Sequence, residues 1–209
     1  MFIDYLALML VILGAGLFAL AYYIFRVSPE ELTGNQDEAA IRRSGRWVPV
    51  FGAIGAILTI TGLGIVFYWP LPGAYNIPFG DGATMIGVLF LALTLVRAKG
   101  WDLRPTAWFA FIPGLASVFY GARIVDLGMT KEPAISALGF IATGLAGLLA
   151  GPVLWMLTTD MLSPKQKLII KVLAVLLLAG SGLVWAFNGY DAYWGHIQSF
   201  HTWKPFAMR

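Results

Sequence analysis

The chain has 209 residues, of which 59% are hydrophobic and only 12% charged, with a formal net charge of +3. Soluble domains carry roughly 25% charged residues, so this composition excludes an ordinary soluble enzyme and indicates an integral-membrane protein. The basic residues sit in short segments between apolar runs, without a nucleic-acid-binding motif, and nucleic acid is not an expected partner. The absence of cysteine rules out disulfides, Fe–S clusters, thiolate metal sites and c-type haem attachment.

A membrane-spanning helix needs about 20 predominantly apolar residues. The first run, MFIDYLALMLVILGAGLFALAYYIFR, has no basic leader and is too long for the apolar core of a signal peptide. It reads as a first span over about 4–26. Further spans are expected at about 47–69, 81–98, 105–127, 133–158 and 167–188. The fold class is therefore all-α: a polytopic transmembrane bundle of six spans in a single domain, 1–209.

Between the first two spans lies the longest polar segment, 27–46. Ser28-Pro29-Glu30-Glu31 has the form of a capping-box start, and a short helix is expected from about Gln36 to Ser44. Asn35 can cap it, and its terminal charges complement the helix dipole, with Glu38 and Arg42 spaced for an i,i+4 pair. This segment is expected to form an amphipathic helix on the inner membrane surface. Pro105, Pro133 and Pro164 each mark a first helical turn, and Ser163 can cap the last span. Pro113-Gly114 and Gly151-Pro152 fall inside spans four and five and predict kinks.

Arg26, Arg42, Arg43, Arg46, Arg97, Lys99, Arg104, Lys165, Lys167 and Lys171 share one side of this topology. Arg123, Lys131, Lys204 and Arg209 share the other. The positive-inside rule then puts both termini outside, and the tryptophans cluster at predicted span ends, as interfacial indoles do. Small residues recur within spans, including the GxxxG pair Gly147 and Gly151, and suit close helix packing inside the bundle. GLGIVFYW from Gly62 and GLVWAFNGY from Gly182 form a weak internal echo.

The outer tail, 189–209, begins GYDAYWGHIQSFHTW and carries both histidines. On a regular helix their five-residue spacing separates the side chains by about 140°. His196 and His201 therefore do not form a helical metal pair, and no span carries a histidine for a bis-histidine haem. A surface Cu or Zn site built from Asp191, His196 and His201 requires a bent tail; otherwise the stretch is an interfacial segment folding back along the outer surface. Asp4, Asp81, Arg123, Asp126, Asp191 and His196 all map to outer span ends and constitute a candidate outer polar site. No charged residue lies near the middle of a span, which argues against ion-coupled transport. Walker, Rossmann, GxSxG and HExxH motifs are absent, and no catalytic residue is assigned.

The outer loop WPLPGAYNIPFGD, the segments KGWDLRPTAWFA and YGARIVDLGMTKEP, and the tail YWGHIQSF together resemble a family of small prokaryotic multi-span proteins, domain of unknown function nine-eight-one. The resemblance covers nearly the whole chain. It implies a prokaryotic cell membrane and a helical bundle, and supplies no activity or site residues.

The expectation from these features is a non-catalytic accessory subunit of a larger respiratory or redox membrane complex, with the bilayer and other membrane subunits as partners. The alternatives are a carrier of a small molecule, lipid or quinone with its polar site outside, and a metal-dependent membrane enzyme using the tail. No cofactor is identified, and a bound lipid or quinone is compatible with the composition.

Overall fold

A computed structural model describes residues 4–34 and 38–199. These residues are helical throughout, apart from short connections. The helices are α1 (Tyr5–Arg26), α2 (Pro29–Thr33), α3 (Glu38–Gly45), α4 (Val48–Tyr68), α5 (Gly82–Lys99), α6 (Arg104–Phe109), α7 (Phe111–Asp126), α8 (Pro133–Thr158) and α9 (Pro164–Gln198). Six stretches are long and apolar enough to cross a bilayer: Tyr5–Arg26, Ile41–Tyr68, Gly73–Lys99, Arg104–Asp126, Pro133–Thr158 and Pro164–Gln198.

Local sequence signals set the helix ends. The Asp4 carboxylate accepts the Ala7 amide at 3.2 Å and caps α1. Ser28 accepts the Glu31 amide at 3.3 Å, and Ser163 and Gln166 form a complete capping box at the start of α9. The third span begins earlier than hydropathy indicates. A turn of π-helix, Ile77–Asp81, precedes α5, and the fully buried Asn76 side chain bonds both Leu71 backbone groups to hold the loop in front of it. The fourth span is interrupted at Ala110, between α6 and α7. Pro113 explains the position: its ring crowds the carbonyl four residues back, at Phe109, and it has no N–H to donate there. Pro152, by contrast, is accommodated inside a continuous α8.

Helices pair closely where glycine replaces a side chain. A Cβ on Gly14 of α1 would lie 2.8 Å from the Ala186 nitrogen of α9. One on Gly62 of α4 would lie 2.6 Å from the Thr84 nitrogen of α5, and one on Gly114 of α7 would lie 2.7 Å from the Leu148 nitrogen of α8. The expected GxxxG pair is used within the bundle, with Gly147 against Ala110 and Gly151 against the Trp108 ring. Helices α1–α9, α4–α5 and α7–α8 thus form three tight pairs, with α8 also against α9 and α1 against α4. The outer surface is apolar, as a bilayer requires, with Ile60, Phe67 and Leu183 pointing away from the core.

Two differences from the sequence expectation concern the ends. Segment 27–46 is not a surface helix alone: α2 packs against α8 and α3 against α5, burying Leu32 and Ser44. Its second helix starts at Glu38, and the expected cap Asn35 lies outside the described residues. At the other end α9 runs without a break to Gln198. The first part of the expected tail, 189–198, therefore continues the last span and does not fold back as far as residue 198.

Candidate functional site: a cavity within the bundle

A cavity of about 450 Å³, lined by every span except α4, lies in the half of the bundle nearer α2 and α3. Leu17 and Ile24 of α1, Phe90 and Leu93 of α5, Ala107 of α6, Val153 of α8 and Leu177 of α9 line it. Thr106 and Thr143 provide the polar side chains of its wall, and no charged side chain reaches it. Pro113 and Pro152 both face this space.

A second, much smaller void of about 20 Å³ continues toward the termini, lined by Met9, Phe79, Ser117, Phe140 and Trp185 among others. Ile86 and Pro113 line both spaces. The waist between them is filled by aromatic rings. Phe140 stands edge-on to Trp185, with centroids 4.8 Å apart at 87°, and edge-on to Phe79 at 5.4 Å. Tyr75 stacks on Phe79, and Tyr120 meets Phe140 at 6.1 Å. Such edge-to-face packing fills space and resists collapse.

Polar groups are set into this waist. The Trp185 Nε1–H donates to the Thr143 hydroxyl at 2.7 Å, and the Thr143 and Ser181 hydroxyls are 2.6 Å apart. Thr143 donates to the Gly139 carbonyl at 2.8 Å, and Ser117 donates to the Phe140 carbonyl at 2.8 Å. One hydroxyl offers one donor and two acceptor sites. With Thr143 donating to Gly139, it accepts from Trp185 and Ser181, and all three sites are used. Thr143 faces the large cavity while Trp185 faces the small one.

The opposite end is closed by a clasp. Arg97 is completely buried. Its guanidinium donates to the Tyr23 hydroxyl at 3.0 Å, the Glu31 carbonyl at 2.7 Å and the Trp101 carbonyl at 2.9 Å. The Leu103 amide donates to the Leu32 carbonyl at 2.9 Å. Gly34, at φ 76°, approaches the Gly100–Asp102 backbone so closely that a Cβ would lie 2.8 Å from the Asp102 nitrogen. This joint lies one turn below Leu93 and beside Leu103, both of which line the cavity. The sequence reading counted Arg97 as a loop charge; nothing in its local pattern distinguishes it from Lys99.

The candidate outer polar residues lie elsewhere. His196 Nδ1 is 2.6 Å from the Asp4 carboxylate, which joins the ends of α1 and α9. Arg123 pairs with Asp126 at the end of α7. Asp81 sits within electrostatic range of Tyr120, and Asp191 is exposed. None of the six lines either cavity. Among the described residues no group of three His, Asp or Glu side chains is placed to hold a metal ion, and His201 lies outside those residues.

Comparison with known proteins gives three results. The fold is similar to that of the Helicobacter pylori urea channel, solved by cryo-electron microscopy in a closed state, with a TM-score of 0.61. The similarity covers 91% of this chain and 98% of that one at 15% identity, and so establishes a common fold. None of the curated proteins matches the chain. Residues 1–199 match the family described as protein of unknown function (DUF981), and the chain belongs to that family.

Proposed function

We propose that the protein is a membrane conduit for a small uncharged solute, with its axis closed in this conformation. The cavity of about 450 Å³ carries the reading: it lies among five of the spans, with the aromatic waist toward one end and the Arg97 clasp toward the other. Walls without charge oppose ions, whose desolvation nothing there offsets. The fold likeness to a urea channel supports a conduit over the accessory respiratory subunit expected from sequence, and makes urea the first solute to test. The Lys and Arg distribution supports both termini outside the cytoplasmic membrane of a prokaryote.

The test is urea flux in proteoliposomes followed by stopped-flow light scattering. The conduit reading predicts faster equilibration of urea than in protein-free vesicles; equal rates for urea, acetamide and glycerol alike reject it. The near-absence of polar groups from the cavity wall favours a second reading, a carrier for a lipid or quinone chain. Mass spectrometry of extracts from the purified protein would then show one stoichiometric apolar species. A stoichiometric partner polypeptide in the same preparation would restore the accessory-subunit reading.

A further inference from the structure

We propose that Thr143, Ser181 and Trp185, with Ser117 beside them, form the selectivity station of this conduit, and that it favours planar carboxamide-type solutes over polyols. The inference rests on the conduit reading and identifies the solute class and the residues that choose it.

Position is the first reason. The Trp185–Thr143 hydrogen bond joins a side chain facing the small void to one facing the large cavity. A solute moving from one space to the other travels beside this pair, between the Ile86 and Pro113 walls that line both.

Chemistry is the second. The indole N–H is a donor only, and the hydroxyls both donate and accept. In the closed conformation these groups satisfy one another and the Gly139 and Phe140 carbonyls. Parting them costs little only if the solute replaces each bond, because an unsatisfied buried polar group costs about 1–3 kcal/mol. A carboxamide can accept from Trp185 through its carbonyl oxygen while its N–H groups donate to Thr143, Ser181 or a released backbone carbonyl. An ion finds no compensating charge there.

Shape is the third. The rings of Phe79, Phe140 and Trp185 meet edge to face and all line the small void. A planar solute can slide along such surfaces, whereas a tetrahedral polyol of similar size must push them further apart. The small void has about 20 Å³ of space, about enough for one water molecule. Ring movement is therefore part of each passage.

The experiment measures acetamide and glycerol permeability in proteoliposomes holding the full chain. The wild type should carry acetamide more than tenfold faster than glycerol after lipid background is subtracted. Thr143→Val and Trp185→Phe should each reduce that ratio by about tenfold, the equivalent of one hydrogen bond at about 1.4 kcal/mol. Thr143→Ser should restore it. If Thr143→Val does not fold, as judged by gel filtration, Ser181→Ala carries the same expectation. An unchanged ratio in folded variants, with urea still crossing, overturns the station and leaves the conduit standing. No protein-dependent crossing of urea, acetamide or glycerol overturns both.

Discussion

The Tyr23 hydroxyl accepts a hydrogen bond from Arg97 at 3.0 Å, although 74 positions separate the two in the chain. Around it, Tyr23 meets Trp47 and Phe51 edge-on, and Arg97 reaches two backbone carbonyls. Loss of this cation leaves three acceptors short of a donor, the Tyr23 hydroxyl fully buried and the two carbonyls partly so. Arg97→Met should destabilise the protein by roughly 2–5 kcal/mol. It should also expose segment 27–46 to protease before the spans unfold. Lysine should not rescue it, since one ammonium cannot match the guanidinium geometry. Thermal melting in detergent and limited proteolysis provide the readouts.

Glycines in the bundle separate into two classes with opposite expected effects. Gly144→Ala should weaken the α7–α8 pair, because its Cβ would lie 2.6 Å from the Val118 side chain and 2.7 Å from the Gly114 carbonyl. A Cβ on Gly180 meets nothing within 4 Å. Gly180→Ala should therefore raise stability by about 0.5–1 kcal/mol through helix propensity alone. Paired melting curves decide the matter; destabilisation by both would contradict the close-approach argument.

Acid should loosen the start of α6. Asp102 accepts from the Arg104 side chain at 2.8 Å and from the Arg104 amide at 2.8 Å. These bonds hold its carboxyl below the ordinary value of 3.8. A depressed carboxyl pKa stabilises the folded state above its unfolded value, and the contribution disappears as pH falls through the folded value. Asp102→Asn should therefore melt lower than wild type at neutral pH, and the gap should narrow on acidification below about 3.8. A gap that persists at low pH would point to shape, not charge.

Orientation can be read chemically because the chain has no cysteine of its own. Lys131→Cys lies between α7 and α8, at the termini end, and Met161→Cys between α8 and α9, at the clasp end. With the termini outside, an impermeant maleimide added to intact cells should label the first and not the second. The reverse pattern would invert the proposed topology.

The six spans were legible because bilayer thickness imposes a length and an apolar composition that survive any detail of packing. The proline-led starts of α6, α8 and α9 and the caps at Ser28 and Ser163 were legible for the same reason: each acts within one turn. The cavity was not. It lies among α1, α5, α6, α7, α8 and α9, and the residues facing it, such as Leu93 and Leu177, are the same types that face lipid. The Arg97 clasp was hidden because its partners are backbone carbonyls far away in sequence. Asp4 and His196 were singled out as outer polar residues, but the bond between them depends on α9 remaining helical beyond residue 188.

The pairing of helices also orders assembly. Helices α4 with α5, and α7 with α8, are neighbours in sequence and can enter the bilayer as finished hairpins. The first span has its closest partner in the last, where Gly14 meets Gly182 and Ala186, and Gly189 meets Val11. During synthesis this face of α1 therefore waits, covered by lipid or by the insertion machinery, until almost the whole chain has been made. A ribosome that stops before α9 releases a product whose opening helix has no mate, and such fragments offer quality-control proteases a ready mark.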